Sequence, residues 1–496
     1  MKKAKSIMVG GILSAILLVF AGCQKSPTTD VISSKNDGSF NSNAIISAED
    51  IDSSNDGCSV SFSRDFSSTD GSVDFNIEIN QTIQTTQMPI VQVSSHFLTG
   101  EDAERVATAL FPNASFYEAE PQSDEKLSKS EINAKINRWS EYTNIDSLKS
   151  IYGDTYSDSA LNEFSDAIKL FIENYTKMYE TAPENISHHP AEWRMRKTLE
   201  YLLSQEELNG VDISNSNDEV SVQFVVDNIP YYFTAATRNR NDFKVNMISA
   251  YISSGMGPVN LDERIFHSEL TRTAEPTQAN LDMVKSQAER MLSEMNLGKW
   301  EIDECFVESQ TYGDATEYTI FINAVPVLNN VPVLRHTQLS SLKNQDGYAA
   351  EQYYTDVNFA FSADGRLLSF NLFTPLETQN VVNENVKVMD ITSLLEKAQN
   401  ALSFTDSYSY GFGDRLPLVK ENVRCTVSVS ELEYGLSRIK VQGEDDAYYY
   451  VPSIVLKGTA EYVGSESDNV YYVSTEPERI LCINAVDGTI ISNTNV

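Results

Sequence analysis

The groups in this chain that can do chemistry are five histidines, five cysteines and 71 carboxylates. The densest histidine site is His188-His189-Pro190-Ala191-Glu192. A helical zinc site needs two histidines four residues apart around a glutamate, so that both rings share one face. Adjacent histidines point their rings apart, and Pro190 disfavours helix at His189. The segment therefore reads as a loop ahead of a helix around Trp193. Asp50, Asp52 and Asp56 are spaced like calcium ligands, but Ser54 and Asn55 stand where that loop needs an acid and a glycine. They read, with Glu444-Asp445-Asp446, as solvated acidic loops. There is no Gly-x-Ser-x-Gly elbow for a nucleophilic serine. Paired carboxylates for sugar hydrolysis do not stand out among so many acids. No cofactor, metal site or catalytic residue is expected.

The cysteines are more informative. Cys58, Cys305, Cys425 and Cys482 form no Cys-x-x-Cys pair and have no histidine-rich spacing, which argues against zinc. Export permits disulfides. Cys425 and Cys482 fall in the same C-terminal unit and are the candidate bridge; two buried thiols are the alternative. Cys23 closes Val19-Phe20-Ala21-Gly22-Cys23, behind Lys2, Lys3 and Lys5 and an apolar run from Ile7 to Phe20. That layout is a secretory signal. With cysteine directly after Ala21-Gly22, it resembles the signal peptide of bacterial lipoproteins, with Phe20 where the family usually has leucine. The resemblance implies that Cys23 is the acylated, palmitate-type anchor and first mature residue, on the extracytoplasmic face of the cell membrane. A permanent span would need about 20 apolar residues, and the run is shorter.

Removing residues 1–22 leaves 474 of 496, enough for two to four domains. The net charge of −34 includes the three leader lysines and no leader acid, so the remainder carries −37. Such a charge excludes nucleic acid as a partner and opposes close apposition to anionic lipid. Contact with the membrane is expected only through the acylated N-terminus. The sharper reading of the charge, attraction of cations or cationic peptides, ranks below solubility and repulsion from an anionic surface.

Several elements are legible. Residues 23–57 are rich in Ser, Asn, Asp and Thr and read as a flexible tether. Val73, Phe75, Ile77 and Ile79 alternate as in half-buried strands. Thr99 with Asp102, and Ser128 with Glu131, are capping boxes that open helices. Leu161, Phe164, Ile168, Phe171, Ile172, Tyr175 and Met178 share one helical face. This predicts a helical hairpin inserted in, or following, an N-terminal strand–helix unit over 58–254. Residues 255–278 read as a linker. A middle unit over 279–376 and a C-terminal unit over 385–496 then repeat one plan. Each opens with an amphipathic helix, at 281–295 and 394–402. Each ends in an Asp-Gly hairpin, at Asp364-Gly365 and Asp487-Gly488. In Tyr448-Tyr449-Tyr450 and Tyr471-Tyr472, one ring of a pair should face the core and another outward.

The expected fold class is α+β, built from repeated helix-plus-antiparallel-sheet units. The C-terminal pattern Ala485-Val-Asp487-Gly488-Thr-Ile490-Ile491 resembles PepSY-type modules of exported bacterial proteins. That resemblance implies binding to, or regulation of, peptidases or other exported proteins. The whole chain also resembles uncharacterised lipoproteins of Gram-positive, clostridia-type bacteria. The expected function is a non-enzymatic, lipid-anchored module that binds or regulates an envelope protein or peptide. A solute- or glycan-binding lipoprotein and a cell-wall or peptide hydrolase are the alternatives.

Overall fold

The structure is a computed structural model that describes residues 58–83, 88–119, 127–153, 155–198, 217–240, 243–252, 261–312, 314–334, 355–404, 423–440, 447–464, 469–474 and 477–491. It is a mixed α+β protein with large, mostly antiparallel sheets. The helices are α1 (Gly100–Leu110), α2 (Lys129–Ser140), α3 (Ile145–Tyr152), α4 (Asp158–Thr181), α5 (Leu261–Thr271), α6 (Gln278–Met295) and α7 (Ile391–Leu402). The strands are β1 (Cys58–Ser67), β2 (Val73–Ile83), β3 (Ile90–Ser95), β4 (Tyr117–Glu118), β5 (Arg196–Lys197), β6 (Asp218–Val226), β7 (Ile229–Arg240), β8 (Phe243–Ile252), β9 (Trp300–Tyr312), β10 (Ala315–Leu328), β11 (Val331–Pro332), β12 (Asp356–Phe361), β13 (Leu367–Phe373), β14 (Leu376–Asn383), β15 (Val423–Lys440), β16 (Ala447–Gly464), β17 (Val470–Val473), β18 (Glu478–Asn484) and β19 (Ile490–Ile491). Contacts divide the chain into two units. The first comprises 1–86, 386–434 and 452–496, the second 87–385 and 435–451.

In the first unit, β1 and β2 form an antiparallel hairpin, and β2 pairs parallel with Cys425–Val429 of β15. Strands β16, β18 and β19 follow in order. The alternation expected at Val73, Phe75, Ile77 and Ile79 is present, and all four are buried. They share an apolar cluster with Leu394, Leu395, Ala398 and Leu402 of α7. Gly458 of β16 lets two backbones meet: a Cβ there would lie 2.0 Å from the Ser428 carbonyl oxygen. The turn at Gly488 takes φ +76, as an Asp-Gly hairpin requires.

Two expectations fail here. The sequence groups residues 58–83 with 88–254 in an N-terminal domain, but β2 finds its partner far down the chain, with Val73 opposite Cys425. A parallel pairing needs such a long crossover. The Cys425–Cys482 bridge is not formed, and both residues are buried thiols. Cys425 lies on β15 and Cys482 on β18, with β16 between them. Two strand spacings are about 9–10 Å, whereas bridged cysteines have Cα atoms within about 7 Å.

The second unit holds an antiparallel sheet in the order β9-β10-β12-β13-β8-β7-β6-β4, with β11 also on β10 and β5 also on β6. Helices α1 and α6 pack together on one face. Val106, Ala107, Val284, Ala288, Met291 and Met295 join Val222, Phe233, Ala250, Phe370, Phe359 and Ile322 in the largest core. Both expected capping boxes are formed, at Thr99/Asp102 and Ser128/Glu131. Separate from that sheet, β14, β3 and the start of β16 are paired in this unit.

The expected boundary at 255–278 is not a linker. It contains α5, and Ser369–Phe373 of β13 pairs with Met247–Tyr251 of β8, so 279–376 continues the sheet begun at β6. The helical insertion, α2 to α4, lies between β4 and β5. Its core is Trp139, Leu148, Ile151, Leu161, Ile168 and Tyr175, joined by Leu261 and Ile265 of α5. There is no helix at Trp193. The chain turns tightly there, with the Arg194 amide donating to the Glu192 carbonyl at 2.8 Å, and the indole packs edge-on against Phe116 and Phe233 at 5.4 and 6.1 Å.

Candidate functional site

A β-strand shows alternate residues to opposite faces. In the second unit one face is apolar and carries α1 and α6. The register then fixes what the other face shows. Ser221 pairs with Thr234, Thr234 with Ser249, Ser249 with Asn371, Asn371 with Asn358, Asn358 with Asn323, and Asn323 with Glu304. One short polar side chain from each of seven adjacent strands thus stands in a single row. Hydrogen bonds run along it: Ser249 Oγ donates to Asn371 Oδ1 at 2.8 Å, and Asn323 Nδ2 donates to Glu304 Oε2 at 2.9 Å. Ser221 Oγ donates to Glu219 Oε1 at 3.0 Å and stands 3.3 Å from Thr234 Oγ1.

The next row on the same face is aromatic at both ends. It runs Gln223, Tyr232, Tyr251, Ser369, Ala360, Phe321, Phe306. Tyr232 and Tyr251 lie with ring centroids 5.7 Å apart, and Phe306 stacks on Phe321 at 5.5 Å. Helix α5 packs on this face against β8 and β10, where Glu317, on the same side of β10 as Phe321 and Asn323, accepts from Arg264 and Ser268. The polar row therefore runs beside α5. Tyr251 and Phe306 stay exposed, at 37% and 39%, while Thr234, Asn358 and Asn371 are half-buried and Ser221, Ser249 and Asn323 are buried.

These fourteen positions carry one charge, Glu304, at the outer strand. At the chain's average of 22% charged residues, fourteen positions would hold about three. No lysine or arginine is among them. Burial pushes the Tyr251 hydroxyl up to about 12, aided by Tyr232 and by the negative charges of Glu263 and Glu219. Burial also raises Tyr232 and the Glu263 carboxyl. The two phenols thus remain neutral hydrogen-bond donors at physiological pH.

Two buried carboxylates anchor helix α5: Glu317 ties it to the sheet, and its own Asp262 ties it to α2 of the insertion. Glu317 of β10 accepts from both terminal nitrogens of Arg264 at 2.8 Å, from Ser268 Oγ at 2.7 Å and from Arg272 Nε at 3.1 Å. Burial alone would raise this carboxyl, but hydrogen bonding from His267, Arg264 and Ser268 and the charge of Arg264 hold it down at about 2. Asp262 accepts from Trp139 Nε1 at 2.6 Å and from Lys135 Nζ at 3.0 Å. Both acids are saturated by cations and donors, which suits a clamp and not a general acid or base.

The residues singled out in the sequence are not brought together. Cys23, the acidic loops at 50–56 and 444–446, and residues 23–57 lie outside the described residues. His188 stacks on Tyr117 at 4.3 Å, and the His189 carbonyl accepts from the Glu118 amide. Among the described residues, no group of three His, Cys, Asp or Glu side chains can hold a metal. His96 Nε2 lies 3.0 Å from Asp102 Oδ2, but that oxygen also serves the Thr99 cap, so the pair belongs to the start of α1. Tyr450 is fully buried, Tyr449 half-buried and Tyr471 exposed. The polar row escapes a reading of the sequence because each member sits on a different strand. Each strand shows an ordinary polar side until the register aligns them.

No family model matches this chain, and no curated protein matches it. Among solved structures it is similar to an uncharacterized protein from Eubacterium rectale ATCC 33656. That match has 11% identity and a TM-score of 0.32, covering 85% of this chain and 91% of the other. A likeness of that size carries no functional information.

Proposed function

We propose that this chain is a non-enzymatic, lipid-anchored binding protein on the extracytoplasmic face of the bacterial membrane, with the polar row of the second unit as its ligand surface. The leader-like N-terminus supports the address: Cys23 carries the acyl anchor, and residues 24–57 hold the folded units outward. Two acyl chains make such an anchor stable, where one alone is marginal. No helix among the described residues is long and apolar enough to cross a membrane, and an acylated cysteine needs none. The Asp-Gly hairpins that follow α6 and α7 support a PepSY-like plan for the two repeated segments. The single observation that carries binding is the row itself: four of its seven aligned polar side chains, Thr234, Asn371, Asn358 and Glu304, reach solvent beside the exposed rings of Tyr251 and Phe306.

The address is tested by growing cells with radiolabelled palmitate. The wild-type chain should take up label and remain in the membrane fraction. Cys23→Ala should lose both. Label retained by the variant would refute anchoring at Cys23. Binding is tested by incubating the full chain, purified in detergent, with separated wall, membrane and secreted-protein fractions of the envelope. Retention by none of them would refute the ligand surface.

A further inference from the structure

Strand β9 closes one side of the second unit's sheet. It pairs with β10 along its length, and among the described residues no strand pairs with its other edge. The strand runs for 13 residues, and from Glu304 to Tyr312 its register with β10 is unbroken. Among the described residues this run makes no backbone–backbone hydrogen bond except to β10. An antiparallel strand bonds its neighbour through alternate residues, so every second residue here turns its N–H and C=O outward. At the far end Gly153 approaches Tyr312, which leaves Glu304 to Gln310 as the open edge. Native edges are commonly kept from pairing by short length, by lysine or by proline. Strand β9 is long, has no lysine, arginine or proline, and exposes Phe306 and Val307 at 39% and 36%. Such an edge is a template for an added strand.

The side chains decide what the edge accepts. Glu304, Phe306 and Glu308 alternate on one face, where Phe306 stacks on Phe321; Cys305 and Val307 lie on the other, where Cys305 packs against the apolar core. Glu304 and Glu308 are exposed, and among the described residues no ion pair reaches Glu308. Glu304 accepts from Asn323 Nδ2, and a carboxylate keeps further lone pairs for a second donor. A second copy of the chain is a poor occupant. Antiparallel self-pairing centred on Phe306 would set Glu304 against Glu308 twice, and like charges directly opposite are destabilising. The complementary occupant carries basic residues opposite Glu304 and Glu308, an aromatic or apolar residue opposite Phe306, and β-branched residues opposite Cys305 and Val307. We propose that the outer edge of β9 takes up an extended segment of a partner protein, alternating basic and apolar, as an added antiparallel strand. Backbone bonds hold the segment, and Glu304, Phe306 and Glu308 select it. This is a second surface beyond the polar row, and neither depends on the other.

The test titrates the full chain, in a neutral detergent at physiological salt, into the fluorescein-labelled peptide Thr-Lys-Val-Phe-Val-Lys-Thr. Its lysines stand opposite Glu304 and Glu308 when its phenylalanine stands opposite Phe306. Anisotropy should rise to saturation. Replacing both lysines of the peptide by glutamate should weaken binding about tenfold, and Glu308→Lys in the protein should weaken it about threefold. If Glu308→Lys shifts the melting profile, Glu308→Gln takes its place, with about a twofold loss expected. Two further peptides keep every side chain but are N-methylated, one at both valines and one at the lysines and phenylalanine. Only one of these sets faces β9, so one peptide should lose binding and the other keep it. Amide hydrogen exchange within 304–310 should slow when the unmodified peptide binds. No rise in anisotropy, equal behaviour of the two N-methylated peptides, or unchanged exchange in 304–310 overturns the proposal. A dimer that the peptide dissociates, seen by light scattering, would assign the edge to a second copy and overturn it as well. Each of these results leaves the polar row as it stands.

Discussion

At the scale of single residues, the strongest local forces belong to buried charges whose partners come from distant segments. Glu317 is 3% exposed and meets Arg264, Arg272 and Ser268. Removing one partner of a buried ion pair leaves the other charge uncompensated and costs about 3–5 kcal/mol. Glu317→Gln should therefore lower stability by about 3 kcal/mol, read as a shift in the denaturant midpoint. A change below about 1 kcal/mol would show that the clamp contributes little. The thiols make a second prediction at this scale. Burial pushes Cys425 up to about 11, and only the thiolate reacts quickly with alkylating reagents. Cys425 should resist iodoacetamide at pH 8 in the native protein and react promptly in guanidinium. Mass spectrometry of non-reduced peptides should find no Cys425–Cys482 link. Rapid native labelling at Cys425, or a linked peptide, would contradict the strand order.

At the scale of elements, much is legible in the sequence because the signals are local. A capping box needs only four consecutive positions at a helix start, and both expected boxes form. The Asp-Gly turns at 364–365 and 487–488 take positive φ, +85 and +76 at their glycines. The helices at 281–295 and 394–402 bury the faces that their periodicity marks. What is not legible depends on register and on long-range pairing. The parallel union of β2 with β15 leaves no mark in either strand. Helix α5 resembles a linker in sequence because its polar residues include Asp262, Arg264 and Ser268, whose partners in the insertion and on β10 are invisible there. The packing of α1 gives a test. Gly100 opens that helix against the Trp193 segment, and a Cβ there would fall 1.9 Å from the Trp193 carbonyl oxygen. Alanine is the better helix former by about 1 kcal/mol, yet overpacking costs about 1–3 kcal/mol, and a backbone oxygen cannot swing aside like a flexible side chain. Gly100→Ala should destabilise by about 1–2 kcal/mol net in a thermal melt. A gain in stability would mean that the Trp193 segment yields freely.

At the scale of the whole molecule, two electrostatic effects oppose each other as pH falls. The chain carries −34 at neutral pH, and its self-repulsion weakens towards its pI of about 4.4. Glu263 acts in the same sense: its carboxyl is raised by burial, so folding is penalised while it is charged, and the penalty disappears on protonation. Glu317 acts the other way. Its folded value of about 2 lies below the ordinary 4.5, so the unfolded chain takes up the proton first. The stability it contributes is complete above about 4.5 and is lost as pH falls from there to about 2. Asp102, held low by Thr99 and His96 against the effect of burial, adds to the same acid limb. The melting temperature should therefore rise from pH 8 towards about 5 and then fall steeply below about 4. Glu317→Gln should keep the first trend and flatten the second, because no carboxyl remains there to be protonated. Melting curves for both proteins at constant ionic strength decide the matter. An acid limb as steep in the variant as in the wild type would move the origin of acid sensitivity away from the clamp that holds α5 beside the polar row.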